Sequence, residues 1–94
     1  MRYEIRLDPK AVEDLQRLKA NVRAAVRDAI EAHLRHGPAL VSRSRIKRLR
    51  DSDHPQYRLR VDDVRVFYDV VGDEVQILAV VSKADAQAWL ADQE

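Results

Sequence analysis

The feature that most restricts the fold of this chain is a run of three strand-forming segments in its C-terminal half. Residues 56–61 alternate apolar and polar side chains, and residues 64–70 and 75–81 are rich in valine and other strand-forming residues, so all three segments are typical of β-strands. Only Asp62-Asp63 and residues 71–74 separate these segments, so the chain must reverse twice within short loops. The pattern therefore predicts an antiparallel three-stranded meander.

The length of the first loop also predicts the register of this sheet. A two-residue turn places Val61 opposite Val64 and Arg60 opposite Arg65, and Val70 is expected opposite Val75. One face is then apolar and consists of Tyr57, Leu59, Val61, Val64, Val66, Tyr68, Val70, Ile77 and Ala79. The other face carries Gln56, Arg58, Arg60, Arg65, Phe67, Asp69, Gln76, Leu78 and Val80. A slip of one residue would exchange the two faces.

The N-terminal part predicts a strand followed by a helical hairpin. Residues 2–7 alternate charged and apolar side chains, as a half-buried strand does. Asp8 before a proline is typical of a helix start, and apolar residues recur at helical spacing as far as Leu18. Asn21 is expected to cap a second helix, whose apolar stripe ends before Gly37.

The segments around the meander complete the predicted fold. Residues 38–55 have no clear period and predict a loop with a short extended piece at 46–49, whereas residues 83–93 predict a short helix. We therefore expect a single α+β domain over residues 1–94. Its N-terminal strand and two-helix hairpin are expected on one face of a mainly antiparallel four-stranded sheet, with a short C-terminal helix after it.

Hydropathy and cysteine content exclude several classes of protein. The longest uninterrupted apolar run has five residues, Ile77 to Val81, which is far too short to span a membrane. The N-terminal segment lacks the continuous apolar stretch of a secretory signal, so we expect a cytoplasmic protein without a membrane partner. The absence of cysteine removes disulfides, thiolate zinc sites and cysteine nucleophiles.

The nearly neutral net charge conceals a strong asymmetry along the chain. The first fifty residues carry 13 Lys and Arg against 6 Asp and Glu, whereas the remaining 44 carry 4 against 10. Between Arg35 and Arg60 eight basic residues meet only two acidic ones. Such a stretch indicates either a polyanionic partner or an ordinary solvated surface rich in arginine.

The predicted register gathers arginines on the face away from the helical hairpin. Arg60 is expected directly opposite Arg65 with Arg58 diagonally near, and like charges in these positions destabilise a hairpin. A bound anion such as a phosphate would relieve the repulsion, and Phe67 on the same face is expected to stack on a base. The alternative is that ordinary surface ion pairs neutralise these arginines, with Asp62, Asp63 and Asp69 as partners.

Other chemistry-bearing residues give weaker indications. His33 and His36 lie one helical turn apart without a third ligand, so we expect no metal site. His54 is either a general base near the arginines or an ordinary exposed loop histidine. The two glycines cannot form a glycine-rich phosphate loop, and we expect no cofactor.

The sequence Tyr57-Arg58-Leu59-Arg60, a short turn and Arg65-Val66-Phe67-Tyr68, preceded by Lys47-Arg48-Leu49-Arg50, resembles the RelE/ParE superfamily of type II toxin–antitoxin toxins. The resemblance covers nearly the whole chain. It implies a small bacterial toxin whose partner is a cognate antitoxin. RelE-like members bind the ribosome and cleave mRNA in the A site, using basic side chains to help the ribose 2′-hydroxyl attack the neighbouring phosphate. ParE-like members instead inhibit DNA gyrase.

The resemblance also assigns roles to individual residues. On the RelE-like hypothesis, the catalytic residues are Arg58, Arg60, Arg65 and Lys83. The RNA-binding residues are then Lys47, Arg48, Arg50 and Phe67. We rank an mRNA endonuclease first, a gyrase inhibitor second and a non-catalytic binding module third.

Two departures from the family pattern bear on that ranking. Arginine stands at Arg58 and Arg60, where RelE-like enzymes often carry lysine, and arginine cannot act as a base near neutral pH. The C-terminal segment lacks the arginine and the tyrosine that RelE-like toxins carry there. Lys83 is the candidate replacement for the arginine, and Trp89 is an aromatic residue close to the position of the tyrosine.

Apolar residues on the arginine face also need a cover. Leu78, Val80 and Phe67 are expected there. Either the terminal helix covers them through Trp89 and Leu90, or an antitoxin segment that folds on binding does so.

Overall fold

The computed structural model describes residues 1–93 and confirms the α+β class. The elements are β1 (Glu4–Leu7), α1 (Pro9–Arg17), α2 (Ala20–Leu34), β2 (Ile46–Arg48), β3 (Tyr57–Val61), β4 (Val64–Val71), β5 (Glu74–Ser82) and α3 (Lys83–Ala91). The strands form one sheet in the order β1-β5-β4-β3-β2. β1 runs parallel to β5, and the other neighbours are antiparallel.

The sheet has five strands in the described chain, where the sequence predicts four. The additional strand is the short extended piece expected near residue 46. Ile46 is buried and lies opposite Leu59, which joins β2 to β3 as an edge strand. The N–H of Arg60 donates to the carbonyl of Arg45 at 2.8 Å and extends the pairing by one bond. A single buried side chain and a few ladder bonds are too weak a signal to find in sequence.

The helical hairpin covers one face of the sheet, as predicted. Ala11 and Leu15 of α1 and Val26, Ile30 and Leu34 of α2 are buried and join the apolar face of β3, β4 and β5 in one core. This core is closed at one end by Tyr68, whose hydroxyl donates to the carbonyl of Pro38 at 2.6 Å. The ring of Tyr68 stacks on Tyr57 with 5.5 Å between the centroids.

The helix starts differ in part from the prediction. Asp8 precedes α1 with a proline at the first turn, as expected. The predicted cap at Asn21 is wrong, because α2 begins at Ala20 and the residue before it is Lys19. Leu18 and Lys19 both have extended backbone, so the chain re-enters the helix earlier than the side-chain pattern indicates. At the start of α3 the Ser82 hydroxyl accepts the N–H of Asp85 at 3.2 Å.

The register between β3 and β4 is the predicted one. Arg60 lies opposite Arg65 and Val61 opposite Val64 across the turn, where Asp62 has a positive φ of 49°. The second loop is shorter than expected because Val71 pairs with Glu74. Only two residues, Gly72 and Asp73, therefore form that turn, and Gly72 has the positive φ of 61° that a tight hairpin requires.

β5 contains a bulge that changes its faces. Val75 and Ile77 lie on the core face as predicted, but the register shifts by one residue at Leu78. Val80 therefore pairs with Val66 and belongs to the core, whereas Ala79 pairs with Phe67 on the opposite face. The predicted sides of Ala79 and Val80 are wrong, because the alternation argument assumes an uninterrupted ladder.

A carboxylate of α1 accepts a hydrogen bond from the backbone of β5 beyond the bulge. β1 pairs with β5 only as far as Ile77, which leaves the outward N–H of Val80 without a strand partner. The buried Asp14 accepts this N–H at 2.9 Å through Oδ2, and its Oδ1 accepts from Lys10 Nζ at 2.9 Å. Asp14 thus fixes α1 to the sheet edge.

α3 lies on the face of the sheet opposite the helical hairpin. Its Trp89 stacks on Phe67 with 4.8 Å between ring centroids and 12° between planes. The predicted cover of Phe67 by the terminal helix is therefore confirmed. None of the helices in residues 1–93 is long and apolar enough to cross a membrane.

Candidate functional site

The face of the sheet turned away from the helical hairpin carries four basic residues in neighbouring positions. Lys47 lies opposite Arg58, and two residues further along the strands Arg60 lies opposite Arg65. Because facing residues project to the same side of a sheet, these four cations share one face. We call Lys47, Arg58, Arg60 and Arg65 the basic face.

Arg65 is held in place by backbone oxygens. The side chain is buried, with only 6% of the residue exposed. Its Nη1 donates to the carbonyls of Asp62 at 2.7 Å and Val64 at 3.1 Å. One end of the guanidinium is therefore fixed at the turn.

Arg58 is crowded by the other arginines. Its Nε is buried and has no hydrogen-bond partner in residues 1–93. Burial lowers the pKa of Arg58, and the charges of Arg65 and Arg60 lower it further. The guanidinium nevertheless remains a cation, because arginine is the most strongly basic side chain in proteins. A buried donor facing two like charges is a position that an anion stabilises.

No carboxylate neutralises this cluster within the part of the chain that the structure describes. None of the ion pairs found in residues 1–93 includes Arg58, Arg60 or Arg65. The alternative of ordinary surface ion pairs is therefore wrong for these arginines. Asp62 and Asp63 lie exposed in the turn, and Asp69 binds His54 instead.

Lys83 lies at the same end of the sheet as the Arg60–Arg65 pair. It is exposed at the start of α3, and its N–H donates to the carbonyl of Asp63 at 2.7 Å. Its neighbour Ser82 lies opposite Val64. Of the four residues assigned as catalytic, Arg60, Arg65 and Lys83 thus lie at the turn end of β3 and β4, and Arg58 lies two residues further along β3 on the same face as Arg60.

The predicted RNA-binding residues separate into different environments. Lys47 lies on the basic face, but Arg48 is the next residue of the strand and points to the other side. Its guanidinium lies 5.3 Å from the ring centroid of Tyr57 and donates to the carbonyls of Leu49 and Gln56. Arg48 therefore lies apart from the basic face.

Phe67 is not available for stacking on a base in this structure. It is fully buried, because Trp89 of α3 covers its ring. The structure thus does not support the expected stacking of Phe67 on a base, because the terminal helix is the one of the two predicted covers that occupies its ring. Trp89 has the packing role expected for it.

A groove runs between α3 and the segment of residues 47–54. Its volume is about 910 Å³. Lys47, Arg50 and His54 line one wall together with Asp51 and Asp53. The opposite wall consists of Gln87, Leu90 and Ala91 from the second half of α3 and of Gln93, which follows the helix. Arg50 and Lys47 thus line the same groove.

His54 has a partner that the sequence does not reveal. Its Nδ1 lies 2.8 Å from Oδ2 of Asp69, and Oδ1 of Asp69 accepts the N–H of Gln56 at 2.8 Å. Asp69 is buried, with 4% of the residue exposed. The signal available in the sequence is a carboxylate within the otherwise apolar run of residues 66–71, and a buried carboxylate usually has a specific partner.

The described residues offer no metal site. Among residues 1–93 no three histidine, aspartate or glutamate side chains are arranged to hold a metal ion. His36, one of the two histidines that lie a helical turn apart in the sequence, has its Nδ1 3.4 Å from the carbonyl oxygen of Met1.

Comparison with known proteins identifies the family. The model of the ParE toxin of type II toxin-antitoxin systems, parDE, matches residues 5–87. None of the curated proteins matches the chain in sequence.

Several solved structures share the fold. A chain of the toxin–antitoxin complex RelBE2 from Mycobacterium tuberculosis is 26% identical with a TM-score of 0.75, and the match covers 87% of this chain and 99% of that one. A chain of the RelB–RelE complex from Methanococcus jannaschii is 21% identical with a TM-score of 0.69, covering 89% and 96%. A YoeB dimer from Staphylococcus aureus gives 20% identity and a TM-score of 0.65, covering 84% and 94%. Since the family model spans far more than half of the sequence, the chain belongs to the ParE toxins of type II toxin–antitoxin systems, within the RelE/ParE superfamily.

Proposed function

We propose that this toxin is a RelE-like, ribosome-dependent mRNA endonuclease that inhibits translation. The observation that carries the proposal is the basic face, where three arginines lie together without a carboxylate in residues 1–93. Mutual repulsion of this kind is a cost to folding unless a polyanion binds. A phosphodiester supplies the matching charge, and guanidinium groups bind its oxygens in pairs.

The chemistry expected of this face is stabilisation of charge on phosphorus. The ribose 2′-oxygen loses its proton and bonds to the adjacent phosphorus, and the bond from phosphorus to the 5′-oxygen breaks. The departing 5′-oxygen takes up a proton, which leaves a 2′,3′-cyclic phosphate and a 5′-hydroxyl. Arg58, Arg60 and Arg65 neutralise the extra negative charge at phosphorus, and Lys83 adds a cation beside them.

A cognate antitoxin is the second proposed partner. Solved structures with the same fold include toxin–antitoxin complexes of RelB with RelE. An antitoxin segment that presents acidic side chains to the basic face would neutralise it and block access of RNA.

Inhibition of DNA gyrase is the competing function, because the matching family model is described as the ParE toxin of parDE. The burial of Phe67 under Trp89 agrees with it, since stacking of Phe67 on an mRNA base is then excluded. A toxin of this kind needs a basic surface for binding but no reaction at phosphorus.

A cleavage assay with purified ribosomes distinguishes the two functions. Arg60 is exposed and makes no ion pair in the described chain, so Arg60→Gln leaves folding intact. We expect it to lower the rate of mRNA cleavage by about 10²–10³-fold, the usual effect of removing one donor to a developing negative charge. Arg27→Gln, on the exposed side of α2, is the matched control and keeps the full rate. Intact mRNA together with gyrase-dependent DNA breaks would establish the competing function instead.

A further inference from the structure

A buried carboxylate orients a histidine at the end of the basic face remote from the β3–β4 turn. The imidazole of His54 is largely exposed, with 71% of the side chain accessible, whereas the carboxylate of Asp69 is almost fully buried. Asp69 is anchored from its other oxygen by the backbone N–H of Gln56. The histidine therefore has a fixed partner although it lies in a loop.

The partner determines which nitrogen of the imidazole carries the proton. An ionised carboxylate only accepts hydrogen bonds, so the Nδ1 that lies 2.8 Å from Asp69 Oδ2 is the protonated one. The neutral ring then has its lone pair on Nε2, which lies on the side away from Asp69. An imidazole held in this way is prepared to accept a proton from a ligand.

The pair of His54 and Asp69 is placed so that one substrate can contact both this pair and the basic face. Asp69 and Phe67 lie two residues apart on the same side of β4, about 7 Å along the strand. Phe67 is paired with Arg58. His54, Lys47 and Arg50 also line the groove between α3 and residues 47–54. A single strand of RNA that lies across Arg58 and Lys47 is therefore brought next to the imidazole.

We propose that His54 is the general base of the cleavage reaction and that Asp69 is its positioning residue. This inference rests on the proposed endonuclease function and supplies the proton acceptor that the arginines cannot provide. His54 Nε2 takes the proton of the ribose 2′-hydroxyl as the 2′-oxygen bonds to phosphorus. The bond to the 5′-oxygen breaks, and that oxygen takes a proton from solvent water. The imidazolium then releases its proton to solvent.

The substitution His54→Asn tests the base without removing the contact with Asp69. The asparagine amide donates from a position close to that of Nδ1, so the loop keeps its hydrogen bond, while the acceptor at Nε2 is lost. We expect the single-turnover cleavage rate on programmed ribosomes to fall by about 10²–10⁴-fold. Binding to ribosomes that carry a 2′-deoxy nucleotide at the cleavage position is expected to be unchanged. His36→Asn is the matched control and keeps the full rate.

The outcomes separate this inference from the proposed function. If the unaltered protein cleaves mRNA and His54→Asn cleaves at the same rate, the inference is overturned and the endonuclease function stands. If Asp53→Asn abolishes cleavage while His54→Asn does not, the base is the neighbouring carboxylate and the inference is again overturned. If the unaltered protein does not cleave at all, both fail together.

The role of Asp69 has a readout besides activity. Nitrogen-15 NMR of the His54 ring is expected to show the form protonated at Nδ1 in the unaltered protein and a mixture of forms in Asp69→Asn. The variant should also lower kcat with little change in KM, because substrate contacts are kept. Asp73→Asn, in the exposed turn, is the control. An unchanged ring spectrum in folded Asp69→Asn would overturn the positioning role.

Discussion

Neighbouring residues of one strand have different relations to the basic face. Lys47 and Arg48 are adjacent in sequence and both basic, yet Lys47 lies beside Arg58 and Arg48 lies over Tyr57 on the opposite side. The sequence predicts the side chains of β3 and β4 correctly because a two-residue turn fixes their register. The sequence does not predict the faces of the β2 side chains, because the loop that joins β2 to β3 is longer and its length does not fix the register of the two strands.

The buried phenol of Tyr68 makes the folding stability dependent on pH in the alkaline range. Burial raises the pKa of Tyr68 above its ordinary value, with a smaller contribution from Tyr57. The folded protein therefore holds the phenol proton more tightly than the unfolded chain does. This contribution to stability is complete below about pH 10 and is lost as the pH rises above it.

We expect Tyr68→Phe to have two effects. The free energy of unfolding near neutral pH decreases by about 1–2 kcal/mol, because the Pro38 carbonyl loses its buried donor. The further loss of stability above about pH 10 becomes smaller, because the buried phenol no longer titrates. Urea denaturation followed by circular dichroism at neutral and alkaline pH measures both, with Tyr3→Phe as control. If Tyr68→Phe loses as much stability at alkaline pH as the unaltered protein does, Tyr68 is not the group that titrates there.

At the level of elements, α3 differs from α1 and α2, each of which contributes buried residues to the core. None of its residues is fully buried, and Trp89 is its aromatic contact with the sheet. The sequence predicts that α3 exists and that Trp89 packs, because the apolar residues recur at helical spacing. The place of α3 on the sheet depends on the contact of Trp89 with Phe67, which is distant in sequence and which no local pattern reveals.

We expect Trp89→Ala to lower the free energy of unfolding by about 1–2 kcal/mol, since it removes an aromatic stack and uncovers Phe67. Urea denaturation measures this change, and hydrogen exchange should show faster exchange in α3 than in β4. Gln87→Ala, which changes an exposed position of the same helix, is the control. A stability equal to that of the control would show that α3 does not cover the sheet through Trp89.

At the level of the whole molecule, the charge asymmetry of the sequence is not preserved in space. The N-terminal strand β1 lies beside the C-terminal strand β5, and Arg6 contacts Glu74 at 3.3 Å. The positive and negative halves of the chain are therefore interleaved. What remains is a local basic face, and this explains how a chain with a net charge of +1 has a site for a polyanion.

The salt dependence of RNA binding tests this view of the charge. The basic face carries four cations. For a single-stranded RNA with 2′-deoxy substitution, we therefore expect the logarithm of the association constant to fall as the logarithm of the salt concentration rises, with a slope of about −3. Lys47→Gln should reduce the magnitude of the slope by about 0.7. Arg48→Gln, the adjacent residue on the other side, should leave it unchanged. Fluorescence anisotropy at several salt concentrations measures the slopes, and equal effects of the two variants would contradict the assigned faces.

The bulge at Leu78 also determines which changes of length β5 tolerates. Leu78 is the residue that allows Ile77 and Val80 to point to the same side although three positions separate them. Deleting Leu78 would therefore leave a simple alternation in which Ala79 and Val80 keep their present sides. We therefore expect β5 to accept the loss of this one residue, whereas an insertion or deletion of one residue elsewhere in the strand would exchange the faces of all side chains beyond it.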